Sequence, residues 1–295
     1  MVESKKYVLP YKMPLFDKKD EANGNPKIAV MFIGNKGVGK SALLSQLGGH
    51  FASGFSFVEP VTTTVTEELV TIEGKQLILM DVPGLYEVDS GETEINSGKL
   101  TEALSRGYHY KLFFVVSGNS RTLSADDLAL MARVNEAVRK VDGAEVEYRV
   151  IVNQIRGERE YQGYLECMTR DNLHVYLSKL KEKTESFSFD IRIKHILLLR
   201  YDEWAIDNSG FYQQLALQVM SQKAVTVTVK RIITDSNDVK NIKRATSNLA
   251  IGAALIGITA FGAIVIGAAV TIASNPAAAP RVVKIATAAG AIVLQ

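Results

Sequence analysis

The residues with the most chemistry in them are Gly34-Asn35-Lys36-Gly37-Val38-Gly39-Lys40-Ser41, which fit the pattern G-x-x-x-x-G-K-[ST]. Glycines let a backbone curl until its N–H groups point inward, the geometry that phosphate oxygens need. Lys40 is spaced to reach the β- and γ-phosphates of a nucleotide, and Ser41 to ligate Mg²⁺. A chance match is expected in about one chain of this length in a hundred, given how common glycine is. A second group, Asp81-Val82-Pro83-Gly84, is a D-x-x-G. Its carboxylate suits Mg²⁺, usually through water, and the N–H of Gly84 suits the γ-phosphate. Between the two lies Thr62-Thr63-Thr64, any of which can close over Mg²⁺ when that phosphate is present.

These groups need particular elements to hold them. Ile28–Ile33 is an apolar run that reads as a strand buried on both faces, and Leu43, Leu44 and Leu47 begin a helical stripe. Strand, glycine loop and helix is the context the phosphate motif requires. The runs 68–72 and 76–80 are split by Glu73-Gly74-Lys75, which predicts a hairpin and so one antiparallel strand. Residues 51–61, rich in Gly, Ser and Phe, and the polar stretch 85–98 read as mobile loops, with a short helix at 100–104. Lys111–Val116 is the next strand, and Ser124-Ala125-Asp126-Asp127 is a capping box before a helix. Val146–Val152 is a fifth strand that ends in Asn153-Gln154; 161–183 is helical, 191–199 a sixth strand and 210–220 helical. The expected fold is α/β and P-loop GTPase-like: a mainly parallel sheet with one antiparallel strand, helices on both faces, and an added C-terminal apolar helix. Nucleotide then sits at the C-terminal ends of the strands. A threonine loop and an antiparallel strand between phosphate loop and D-x-x-G is the order of the GTPase branch of P-loop proteins.

Composition narrows the choice. A chain of 295 residues fits one large α/β domain with appendages, and a net charge of +2 implies no general affinity for nucleic acid. The one cysteine, Cys167, forbids an internal disulfide and suits a reducing compartment. Cys167 and the scattered histidines His50, His109, His174 and His195 give no metal-ligand spacing. No signal peptide is visible at the N-terminus.

The phosphate loop, Pro60-Val61-Thr62, Asp81–Gly84 and the segment 113–127 (FFVVSGNSRTLSADD) together resemble the GIMAP-type, immunity-associated GTPases of the septin-like branch. That family carries G-R-[YF]-T-x-E-D between its D-x-x-G and its base motif, and Arg121–Asp127 is similar in register. The resemblance covers about residues 27–200. It implies Thr62 as the switch threonine, so that Ser41, Thr62 and Asp81 hold the metal. It also implies guanine nucleotide (GTP or GDP) as ligand, homodimers or homo-oligomers across the nucleotide face, and membrane association. Asn153 and Gln154 stand where base-binding residues are expected, but Arg156 replaces the usual aspartate. Arginine has donors only and opposes guanine's own donors. Glu158 or Glu160 is the alternative acceptor. Leu85 stands where many GTPases carry a water-orienting glutamine. Slow turnover follows, raised by a partner or by dimerisation; Arg121 and Arg106 are read first as surface salt-bridge residues, with a finger across the interface as the alternative.

No charged residue occurs between Ala245 and Pro280, and within that stretch the almost wholly apolar run 249–273 is long enough to span a bilayer. Lys240, Lys243 and Arg244 precede it, the bias of a cytosolic N-terminal side. The expected organisation is an arm at 1–26, the GTPase-like domain at 27–222, a linker at 223–247 and a membrane-associated segment at 248–295. The function expected is a GTP-binding switch or scaffold on an intracellular membrane, its nucleotide domain facing the cytosol, with weak GTPase activity. The alternatives are a polymer-forming membrane protein that hardly hydrolyses nucleotide, and an ATP-using P-loop protein.

Overall fold

The computed structural model describes residues 27–51, 64–86, 90–119, 123–184, 187–201, 209–235, 237–256, 284–287 and 290–293. Strand β1 (Ile28–Ile33) lies at the centre of the main sheet, and its alternation explains the two-layered core. Ala29, Met31 and Ile33 point to one face, Val30 and Phe32 to the other. On the second face, helix α1 (Lys40–Gln46) contributes Leu43 and Leu44, and helix α6 (Ser209–Ser221) contributes Leu215, Ala216 and Val219. On the first face pack helices α2 (Ser90–Leu104), α3 (Ala125–Ala137), α4 (Glu158–Cys167), α5 (Arg170–Lys183) and α7 (Asp238–Ile256).

The remaining strands are β2 (Thr66–Ile72), β3 (Lys75–Asp81), β4 (His109–Ser117), β5 (Val138–Lys140), β6 (Glu147–Arg156), β7 (Arg192–Tyr201) and β8 (Val225–Val229). The order is β2-β3-β1-β4-β6-β7. All neighbours from β3 to β7 are parallel, and β2 is antiparallel to β3. Glu73 and Gly74, with φ 47 and 74, make the two-residue turn between β2 and β3. This is the sheet the sequence predicts. Further along the chain, β9 (Lys284–Thr287) and β10 (Gly290–Val293) form an antiparallel pair.

Three expectations need correction. The stretch 85–98, read as a loop, is mostly helix: α2 begins at Ser90 and runs on through Leu104. Before the apolar Leu100, Ala103 and Leu104, its inward face carries the buried polar residues Thr93, Asn96 and Ser97, so no helical period shows in 85–98. Asn96 Nδ2 donates to Gly84 O at 2.8 Å and Thr101 Oγ1 to Ser97 O at 2.7 Å. The helical region 161–183 is two helices, with Thr169 capping the second by accepting from Asn172 N. The segment 223–247, expected as a linker, is part of the packed domain. Strand β8 pairs antiparallel with β4 and β5, and Ile242 and Ala245 of α7 are buried in the core.

Asp238, at the start of α7, accepts from Arg133 Nε (2.9 Å) and Nη2 (2.6 Å) of α3, and from the hydroxyl of Tyr86 (2.6 Å). Arg133 also lies 4.5 Å from the ring centroid of Phe187. Among the described residues no helix is long and apolar enough to cross a membrane. The apolar run 249–273 lies outside them from residue 257 onward.

Candidate nucleotide site

The loop from β1 to α1 crosses the C-terminal edge of the sheet. Gly34 leaves β1 so close to β4 that a Cβ would sit 2.3 Å from Val115 O. Gly37 and Gly39 have φ 79 and 88, the left-handed region that side chains avoid. Gly39 is the N-cap of α1, and a Cβ on it would lie 2.5 Å from Asn153 Nδ2. The loop is thus drawn tight over the sheet, with the N-terminus of α1, the partly positive end of the helix, at its close. Lys36 and Gly37 are exposed and Val38 is buried. The buried Lys40 donates from Nζ to Gly34 O at 2.9 Å and Asn35 O at 3.0 Å, which brings its charge across the loop.

Ser41 Oγ donates to Asp81 Oδ2 at 2.7 Å. Asp81 ends β3 and is buried beside β1. A hydroxyl and a carboxylate in contact beside a phosphate loop are hard oxygen donors of the kind Mg²⁺ takes, so these residues fit that ion. Gly84 packs on the loop so closely that a Cβ would lie 2.5 Å from Lys36 N. Thr62 and Arg121 lie outside the described residues.

The two base-motif residues are brought to the loop, and their side chains brace it. Asn153 Nδ2 donates to Val38 O at 2.9 Å, and Gln154 Nε2 donates to Gly37 O at 2.8 Å. Gln154 Oε1 accepts from Ser117 Oγ (3.2 Å) and Asn119 Nδ2 (3.1 Å). Arg156 is exposed at the end of β6. Glu158 pairs with Arg200 and accepts from Gln162, while Glu160 turns back until one carboxylate oxygen lies 3.2 Å from the Cβ position of Gly157. Leu85 is in the core and cannot present anything to water. Arg106 is engaged with Glu67 and Glu102.

Two contributors, Asp127 and Tyr86, were not legible as site residues. The side chain of Asn35 donates to Asp127 Oδ1 at 2.9 Å and accepts from Tyr86 N at 3.1 Å. The sequence signal for Asp127 is its place in the 113–127 box; for Tyr86 it is adjacency to the D-x-x-G. Burial, aided by Asp238, pushes the Tyr86 hydroxyl well above the ordinary tyrosine range.

Comparison with known proteins agrees with this geometry. Residues 29–154 match the family model described as 50S ribosome-binding GTPase. A tRNA modification GTPase MnmE of Pediococcus pentosaceus is 28% identical over 131 residues, 44% of this chain and 28% of that protein. That of Streptococcus agalactiae serotype III is 24% identical over 200 residues, 67% of this chain and 41% of that protein. The chain therefore spans well under half the length of these curated relatives. Among solved structures, Toc33 from Arabidopsis thaliana in complex with GDP and Mg²⁺ aligns with a TM-score of 0.44 at 13% identity, over 71% of this chain and 91% of that one. Era in complex with MgGDPNP and a 16S ribosomal RNA segment gives 0.40 at 14% identity, over 72% and 61%. Sheet order, phosphate loop and the match over 29–154 define a P-loop GTPase domain. The chain has a P-loop GTPase fold, and its residues 29–154 are similar to that family of GTPases.

Proposed function

We propose that this protein is a slow, membrane-anchored GTPase that acts as a nucleotide-dependent switch or assembling scaffold. The observation that carries the nucleotide half is Lys40 drawn across a glycine loop beside the contact of Ser41 with Asp81. Ser41, Asp81 and Thr62 would hold Mg²⁺, which would supply positive charge beside the phosphates. Lys40 adds a second positive charge, the loop N–H groups orient the phosphates, and Gly84 presents its N–H to the γ-phosphate. No side chain at position 85 orients water, which supports slow intrinsic turnover and the second reading, a protein that assembles and hardly hydrolyses. Lys40→Ala and Ser41→Asn should each abolish calorimetric binding of Mg-nucleotide without unfolding the domain; unchanged affinity in both refutes the phosphate site.

The branch within the family rests on the 113–127 box, whose register supports a GIMAP-type relationship. Likeness to tRNA modification GTPases supports nucleotide binding and no more. The family resemblance and the apolar Leu85 support completion of the site by a second copy across the nucleotide face. Hydrolysis per protein should then rise with protein concentration, and a flat rate overturns that. The uncharged run after Arg244, together with the exposed Lys240, Lys243 and Arg244 of α7, supports an anchor on an intracellular membrane with the domain facing the cytosol. Full-length protein should resist carbonate extraction at high pH; its release overturns the anchor.

A further inference from the structure

The acidic end of the 113–127 box lies outside the phosphate motifs, yet Asp127 is buried and accepts from Asn35 of the phosphate loop. It sits in the first turn of α3, where Ser124 caps the helix by accepting from Asp127 N at 3.0 Å. The cap fixes the start of α3 and aims the carboxylate at Asn35. Asp127 Oδ1 accepts from Asn35 Nδ2, so the amide nitrogen of Asn35 faces Asp127. That leaves Asn35 Oδ1 facing the opposite way, where it accepts from Tyr86 N. A backbone N–H only donates, so both neighbours demand the same amide orientation. Asn35 is itself buried, and its backbone carbonyl accepts from Lys40 Nζ. One side chain therefore ties the phosphate loop to α3 on one side and to the residue two places after Gly84 on the other. Gly84 is at the same time pressed against Lys36 N and held through its carbonyl by Asn96.

We infer that Asp127 is a positioning residue for triphosphate recognition: by orienting Asn35, it holds the segment Gly84–Tyr86 where the N–H of Gly84 meets the γ-phosphate. A diphosphate has no γ-phosphate and makes no demand on that segment. The relay lowers the ordering cost for the triphosphate alone, since a segment already in place loses less freedom on binding. It touches no reacting atom and acts through Asn35.

The inference rests on the reading that this loop binds GTP, and the test separates the two. Calorimetry on the full-length protein with Mg²⁺ compares GDP with a non-hydrolysable GTP analogue. Asp127→Leu should weaken the analogue by at least about tenfold, ~1.4 kcal/mol, and GDP by no more than about twofold. Asp127→Asn keeps an oxygen acceptor for Asn35 Nδ2 and should restore analogue binding to within about threefold of wild type. A structural role alone would move both nucleotides together. Equal losses, or no loss, in Asp127→Leu overturn the relay. If Asp127→Leu does not fold, Asn35→Ala must show the same split, and equal effects there overturn it likewise. A wild-type protein that binds neither nucleotide overturns the GTP reading and the relay with it.

Discussion

Replacing Asp238 by alanine tests the attachment of α7 to the domain. The carboxylate is almost fully buried, with 2% of the side chain exposed. It accepts four hydrogen bonds, two from Arg133, one from Tyr86 and one from Asp235 N at 3.0 Å. Removing one partner of a buried pair costs about 3–5 kcal/mol, mainly because the other charge is left uncompensated. Arg133 keeps Glu136 at 2.9 Å and 17% of its side chain is exposed, so the low end applies, about 3 kcal/mol. For a domain of this size that is a fall of roughly 6–12 °C in melting temperature. Asp238→Asn, which keeps an acceptor for Tyr86, should cost about half as much. The pH dependence supplies a second check. Burial pushes the Asp238 carboxyl up, but Arg133 and the hydrogen bonds from Asp235 N and Tyr86 prevail and hold it below the usual aspartate range. A carboxyl whose folded pKa is depressed stabilises the fold above its unfolded pKa of about 4, and loses that contribution as pH falls through its folded value. The gap between wild type and Asp238→Ala should therefore be full at neutral pH and shrink in acid, as followed by thermal scanning. A loss under about 1 kcal/mol at pH 7, or a gap that does not change in acid, would refute the claim that this ion pair fastens α7.

Two other perturbations follow from the site and the sheet. Gly34→Ala places a methyl against Val115 O of the neighbouring strand, and backbone there cannot move aside cheaply. It should destabilise by about 1–3 kcal/mol and remove nucleotide binding, read by thermal melting and nucleotide titration. Lys111 of β4 donates to Val219 O and Met220 O at the end of α6, and burial, with Lys75 and Arg149 nearby, pushes its ammonium down to about 8. Between that value and the ordinary 10.5 the unfolded chain holds the extra proton, so wild-type stability should gain a rising component over this window that Lys111→Met lacks. Identical pH profiles of the two in denaturant titrations would refute it.

The phosphate loop, the strand before it and the helix after it were legible because they are contiguous. Glycine at 34, 37 and 39 encodes its own backbone requirement, whatever lies elsewhere. The hairpin of β2 and β3 was legible for the same reason, since Glu73 and Gly74 set its register locally. The Ser124 cap likewise depends on a residue three places away. Helix α2 was not legible, because the polar residues it turns inward are tolerable only where a partner such as Gly84 O awaits them. The same holds for β8 and α7. A short alternation of valines and a polar, basic turn carry no sign of docking until β4, β5, α3 and Arg133 are beside them. The side chains that connect the site to the rest of the domain come from far apart in the chain. Asn35 meets Asp127 across 92 residues, and Tyr86 meets Asp238 across 152. Local spacing determined which residues can hold phosphate; only the tertiary structure decided what holds those residues, because a buried polar group is placed by its partner and not by its neighbours in sequence.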